Sequence, residues 1–307
     1  MLVLKNLVHQ FLEYIESEKN RSGKTVENYA CYLRRFLDWT KIQNITKPEQ
    51  LTLDGMRAYR LWLNRLHKEK PLKKNTQNYH TIAIRSFLKY LAKRDIKTLA
   101  PKKIELAKIP QRTVAFLEGD DLNRFLTAPS RTQEPNIIQK RDQAILEMLF
   151  STGLRVSELA GLCRGSVNLS KDEFTVKGTG KKYRVVFLSP RGKECLRTYL
   201  DARKDSLNPL FIRHDRAFNA KQSKQDEGEH HLTPRSIQRL VRRYARIAGL
   251  TKKVTPHVMR HSFATDLLTK GTDMRSVQSL LGHASITTTQ IYARITNRQL
   301  RDIHTHP

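Results

Sequence analysis

From residue 3 onward, apolar side chains recur three and four positions apart, in successive runs that each end at a helix breaker. Only one face of an α-helix satisfies that spacing, so the first hundred residues are constrained to amphipathic helices sharing a core. Leu4, Leu7, Val8, Phe11, Leu12 and Ile15 form the first stripe, broken at Ser22-Gly23. Thr25 is then placed to cap a second helix carrying Tyr29, Tyr32, Leu33, Phe36 and Leu37. The run LDGMRAYRLWLNRLHKE makes a third, stopped by Pro71, and a fourth starts at a cap on Asn75 and runs to Arg94. Four such helices with short joins predict a small bundle.

The outward faces of that bundle are basic. Lys19, Arg21, Lys24, Arg34, Arg35, Lys73, Lys74, Arg85 and Lys89 lie on them, whereas faces that serve solubility alone mix both signs. The bias runs through all 307 residues, where 57 Lys and Arg oppose 29 Asp and Glu for a formal net charge of +28. Residues 1–112 hold 24 basic and 10 acidic side chains and the remainder 33 and 19, so each part carries +14. Self-repulsion of that size is relieved by a polyanion and argues against an ordinary metabolic enzyme. Nucleic acid is the first partner it indicates, and an anionic membrane surface the second. Residues 95–112, with Pro101, Pro110, Lys97, Lys102, Lys103, Lys108 and Arg112, read as a basic linker between two basic domains that close around a duplex.

Cys31, Cys163 and Cys195 are odd in number, far apart and without C-x-x-C spacing, which argues for a reducing compartment and against a disulfide scaffold or zinc module. No apolar run reaches the ~18 residues of a membrane span, and the amino terminus shows no signal-peptide cleavage site. A soluble, cytoplasmic protein is expected.

From residue 113 the chain changes character. GDDLNRFLTA reads as a short helix, and KRDQAILEMLFSTG is apolar for most of its length, as a buried central helix is, ending at Gly153. EFTVK and YRVVFL read as two strands joined by a Gly-rich basic turn. Helical patterns return in PRGKECLRTYLDAR, TPRSIQRLVRRYARIAG, TPHVMRHSFATDLLTKG, MRSVQSLLG and ITTTQIYARI. The expected fold is mainly α with one small antiparallel β-sheet. Neither a Walker A loop nor a dinucleotide fingerprint is present, so the GTG serves the hairpin. Residues 214–231 have almost no apolar content and read as an exposed loop. His214, His230 and His231 lack partner ligands at fixed spacing, and no metal or cofactor is assigned.

Thr255 is placed to cap TPHVMRHSFAT, with Pro256 at the first helical position. His257 and Arg260 then share a face of the first turn and can address one anion, although solvated cations on a capped surface helix account for the segment as well. Arg155, directly after the buried helix and its glycine turn, sits among apolar neighbours and must be paired or functional. Gly282 ends a helix just before His283, and Tyr292 lies nine residues further on, where a core tyrosine is the plain reading.

Three blocks decide between these readings. TGLRVSELAGL (152–162), TPHVMRHSFATDLL (255–268) and LGHASITTTQIYAR (281–294) resemble, in order and spacing, those of the tyrosine recombinases of the phage-integrase superfamily, and the chain is most similar to its compact Xer group. The resemblance spans nearly the whole chain. It implies a four-helix SAM-like core-binding domain in 1–94, a linker in 95–112, a mostly helical catalytic domain of the DNA breaking-rejoining enzyme fold in 113–296, and a tail in 297–307. It also implies Arg155 and Arg260 as the catalytic arginines, His257 and His283 as the catalytic histidines, and Tyr292 as the nucleophile. His261 is expected to be a structural hydrogen-bonder. The implied chemistry needs no metal, cofactor or ATP. The arginines grip a phosphate, His257 takes the proton of Tyr292, and a 3′-phosphotyrosyl intermediate forms as a lysine protonates the departing 5′-hydroxyl.

One position departs from the family. Where the strand-to-strand turn usually reads Gly-Lys-Gly, this chain has Thr179, which cannot donate as an ammonium does, while Lys177, Lys181 and Lys182 crowd the same turn. Either a neighbour substitutes or the enzyme is slow or inactive. The partners implied are a double-stranded DNA target site, a homotetramer or heterotetramer across a Holliday junction, and a DNA translocase. Resolution of chromosome or plasmid dimers is the first reading. Integration or excision of a mobile element, and a recombinase-derived DNA-binding protein with impaired cleavage, are the alternatives.

Overall fold

Each apolar stripe of the first hundred residues becomes a helix: α1 (Leu4–Ser17), α2 (Gly23–Ile42), α3 (Leu53–Arg65) and α4 (Lys74–Ala92). The structure, a computed structural model, describes residues 3–66, 69, 71–109, 115–178, 183–214, 231–283, 285, 286, 289 and 290. It falls into two units, Met1–Arg112 and Thr113–Pro307. In the first, α1 buries Leu4, Leu7, Val8, Phe11 and Ile15, and α4 buries Ala83, Ile84, Phe87, Leu88 and Leu91 on the same core. Two caps differ from expectation. Ser22, extended just before the first helical residue, accepts the Thr25 N–H, because Thr25 already lies inside the first turn. The fourth helix begins at Lys74, so Asn75 is internal, and Lys73 supplies no side-chain cap.

Polar groups also stand in this interior, among them Thr40, Asn78, His80 and Thr81. His80, 1% exposed, meets the Tyr59 hydroxyl through Nδ1 at 3.3 Å and Arg35 through Nε2 at 3.4 Å. Burial and the Arg35 cation push His80 down to about 4, so the imidazole is neutral. Since a guanidinium only donates, Nε2 accepts and Nδ1 carries the proton toward Tyr59. The stretch of linker composition is not a free strand here. Ile96, Leu99 and the buried Ile104 lie on the core, and the Asn78 amide brackets Ala107 with two hydrogen bonds of 2.9 Å. Isolated apolar anchors among lysines hide from a reading by composition.

The second unit runs α5 (Gly119–Leu126), α6 (Asn136–Thr152), α7 (Val156–Ala160), β1 (Glu173–Lys177), β2 (Tyr183–Phe187), α8 (Pro190–Ala202), α9 (Pro234–Ile247), α10 (Pro256–Thr269) and α11 (Met274–Leu281). It is mainly α with a small antiparallel hairpin, in which Val176 faces Arg184 and Lys177 faces Tyr183. The central helix is α6, packed on α8 and α10 and burying Ala144, Ile145, Leu146, Met148 and Leu149. It also buries charge. Asp142 accepts from Arg141 at 2.7 Å and from the Tyr244 hydroxyl at 2.8 Å, and Glu147 pairs with Arg191 at 2.7 Å. His214 meets the Tyr199 hydroxyl at 3.0 Å and His231 the Ala160 carbonyl at 3.0 Å, while His230 lies outside the described residues. Among the described residues, no helix is long and apolar enough to cross a membrane.

Candidate active site

Two glycines bring distant blocks to one place. Gly153 ends α6 in the left-handed region at φ 59°, where a Cβ would lie 2.5 Å from Phe263, and Gly282 ends α11 at φ 62°. The first turn delivers Arg155 to the amino terminus of α7. There its N–H donates to Glu158 Oε2 at 2.8 Å and its Nη1 to Glu158 Oε1 at 2.9 Å, a reach-back that satisfies an orphan helix donor. Its Nη2 extends to the Gly282 carbonyl at 3.2 Å.

Arg260 arrives from the first turns of α10, whose start is fixed as expected by the Thr255 hydroxyl accepting the Val258 N–H at 3.3 Å. Only 3% exposed, it donates from Nη1 to the Gly153 carbonyl at 2.6 Å and from Nη2 to the Leu281 carbonyl. Both acceptors sit at helix carboxyl ends, where the aligned peptide dipoles favour a cation. These two carbonyls thus help to stabilise a buried guanidinium. Glu158 is the acid of the cluster. Burial by itself would raise its carboxyl, but hydrogen bonds from Arg184 and Arg155 outweigh that and hold it at about 2.

The histidines around these cations are neutral at physiological pH. Burial, then Arg260 and Arg155, push His283 down to about 4, and its Nδ1 lies 3.0 Å from the Thr289 hydroxyl. His261 falls to about 4 through burial, His257 and Arg260. His257, exposed at the start of α10, is lowered by partial desolvation and by Arg260 and Arg155. A neutral imidazole beside two guanidiniums can accept a proton while the cations hold an anion.

Of the residues nominated from sequence, Arg155, His257, Arg260 and His283 therefore share one site. Tyr292 lies outside the described residues, as do Thr179, Lys181 and Lys182; Lys177 is exposed at the end of β1. Sequence reasoning missed Glu158 and Arg184. The signal for Glu158 was its place three residues after Arg155, the helix-start spacing of a capping box. Arg184 has the inward parity of Val186, but the outward residues Tyr183, Val185 and Phe187 are also apolar, so the alternation that would expose it is blurred.

The family model described as phage integrase family matches residues 115–299, and that of the phage integrase N-terminal SAM-like domain matches residues 8–95. Tyrosine recombinase XerC of Thermodesulfovibrio yellowstonii is 33% identical over 98% of this chain and 96% of its own. Tyrosine recombinase XerD of Vibrio cholerae is 32% identical over 99% and 97%. The crystal structure of XerA recombinase covers 99% of both chains at 28% identity with a TM-score of 0.52. That of XerH site-specific recombinase bound to palindromic difH substrate shares the fold, with a TM-score of 0.73 at 21% identity over 97% of this chain and 84% of that one.

Proposed function

The chain belongs to the phage integrase family and is a tyrosine-type site-specific recombinase acting on duplex DNA, and from that premise we propose how its own residues perform the reaction. Arg155 and Arg260 bind the non-bridging oxygens of the scissile phosphate and the charge that grows on them in the transition state. The observation that carries this reading is the convergence of both guanidiniums on the consecutive carbonyls of Leu281 and Gly282, next to His283. The Arg155 side chain keeps 25% of its surface open to a ligand.

Tyr292 is the nucleophile. Its reference pKa near 10 means that the phenol must lose its proton as it attacks, and the neutral His257 receives it. The Tyr292 oxygen bonds to phosphorus as the bond to the 5′ oxygen breaks, leaving a 3′-phosphotyrosine and a 5′-hydroxyl. His283, held by Thr289, binds the phosphate or tunes the tyrosine. The ester conserves the bond energy, so a 5′-hydroxyl from another strand reverses the step and exchanges strands. Protonation of the leaving oxygen falls to Lys177, Lys181 or Lys182, with Lys181, directly after Gly180 in the turn, favoured. The biological role is Xer-like resolution of chromosome or plasmid dimers by a tetramer across a Holliday junction, supported by relatives named XerC and XerD that match along nearly the whole chain. Thr179, in place of the usual lysine, favours a second reading in which cleavage is impaired.

A nicked suicide duplex tests the chemistry. Wild type forms a covalent protein–DNA band on denaturing electrophoresis, and Tyr292→Phe binds the duplex but forms none. A full-strength band from Tyr292→Phe removes the assignment. Where a lysine variant of the turn has lost cleavage, a substrate with sulfur at the bridging 5′ position restores it, since a thiolate leaves without a proton.

A further inference from the structure

Strand β2 brings a third arginine to the same turn. Arg184 Nε donates to the Leu280 carbonyl at 3.0 Å, so Arg184, Arg260 and Arg155 take the carbonyls of Leu280, Leu281 and Gly282 in order. Arg184 also donates from Nη1 and Nη2 to the two oxygens of Glu158 at 2.9 and 2.6 Å, and those same oxygens hold Arg155. The side chains of Arg184 and Glu158 are 9% and 7% exposed, against 25% for Arg155. Two members of the triad are sealed in; the third faces outward.

We infer that Arg184 is a positioning residue for DNA cleavage, acting through Glu158 to fix the orientation in which Arg155 presents its guanidinium to the scissile phosphate. A carboxylate with one partner can turn about its last torsion. Gripped by a planar fork on both oxygens, it cannot, and the geometry it offers Arg155 becomes single-valued. The backbone is fitted to this arrangement, for a Cβ on Gly282 would lie 3.0 Å from Arg184 Cδ. Lysine is a poor substitute, since one ammonium cannot span both carboxylate oxygens and the Leu280 carbonyl as a fork does. The low pKa of Glu158 agrees with two guanidinium partners acting on it at once.

The inference rests on the reading of Arg155 as a phosphate ligand. It is tested in the full chain with Arg184→Met, Arg184→Lys, Glu158→Gln and the double variant Glu158→Gln/Arg184→Met. Single-turnover adduct formation on the suicide duplex is measured at saturating protein, with duplex affinity measured alongside. Arg184→Met is expected to slow adduct formation roughly 10- to 100-fold, the scale of a misplaced reacting group, with affinity changed less than about threefold. Arg184→Lys recovers part of the rate. The double variant is no more than about twofold slower than the slower single, because both act on one path. A rate for Arg184→Met within about twofold of wild type overturns the inference. So does a double variant that shows the product of both losses, or affinity that falls in step with rate. If Arg184→Met fails to fold by thermal melt, Arg184→Lys decides, and a wild-type rate there overturns the requirement for a fork. A wild type that forms adduct while indifferent to position 184 sinks this inference and leaves the parent reading intact; no adduct from wild type sinks the parent.

Discussion

Both units close over apolar cores, but the second also buries a set of paired charges. The first closes over Phe11, Phe36, Trp39, Tyr59 and Phe87 in stacked and edge-on contacts, and the imidazole of the buried His80 is neutral. The second buries or half-buries Arg141, Asp142, Glu147, Glu158, Arg184 and Arg260. An aromatic interior is stabilised by the area it removes from water. A charged one gains nothing over a well-packed apolar one, because desolvation offsets the attraction, and it becomes costly when any partner is removed. Charge clustered at one turn of the second unit thus marks where chemistry, rather than stability, dictates the residues. Effects of substitution should divide along the same line, on reaction rate in one unit and on stability or simple DNA affinity in the other.

The strongest attempt to break this contrast removes a guanidinium from the site. Arg155→Ala and Arg260→Ala should each lower adduct formation by roughly 100- to 1000-fold, the effect of one lost transition-state donor. Duplex affinity should change far less, since many of the other Lys and Arg of the chain are available to the backbone. Equal losses in both measurements would make the two arginines ordinary phosphate contacts. Next in size, Phe87→Ala should reduce unfolding free energy by about 3–5 kcal/mol in denaturant titrations, while the folded fraction cleaves normally. A loss of rate in that fraction would erase the division between the units.

A smaller effect is expected from replacing Lys73, Lys74 and Lys89, all exposed on the first unit, with glutamine. The slope of log affinity against log salt should fall by nearly one per lysine, with the saturated cleavage rate unchanged. An unaltered slope would remove the first unit from the DNA interface. A pH effect is shared by both units. His80, His261 and His283 stand at about 4 instead of 6.5, so between those values the unfolded chain binds more protons than the native one. Their contribution to stability is complete above pH 6.5 and is lost as pH falls toward 4. Glu158 adds a separate loss only below its ordinary value of 4.5, down to about 2. Urea midpoints should therefore decline from pH 7 to pH 5, and a flat profile would mean that these imidazoles titrate normally.

The parts of the molecule legible in advance are those set by neighbours along the chain. The stripes of α1 to α4, the strand pair, the Thr255-Pro256 start of α10 and the glycine stops at Gly153 and Gly282 follow from spacing and local sterics. The family blocks nominated Arg155, His257, Arg260 and His283 in the same way, as residues at fixed offsets from those signals. Where a local signal was ambiguous the reading slipped, as at Thr25 beside Ser22, and at Ile104 among lysines.

What tertiary structure alone decided is which charges meet. Arg155 reaches Gly282 across 127 positions, Arg260 reaches Gly153 across 107 and Arg184 reaches Leu280 across 96. Periodicity reports which face of a helix or strand is apolar, because that depends on the segment itself. Whether a buried guanidinium finds a carbonyl or carboxylate depends on the segment packed against it, and so does the pKa of every imidazole nearby. The sequence determined the elements and nominated most of the candidate site. Packing alone placed three arginines on three consecutive carbonyls, with Glu158 between two of them.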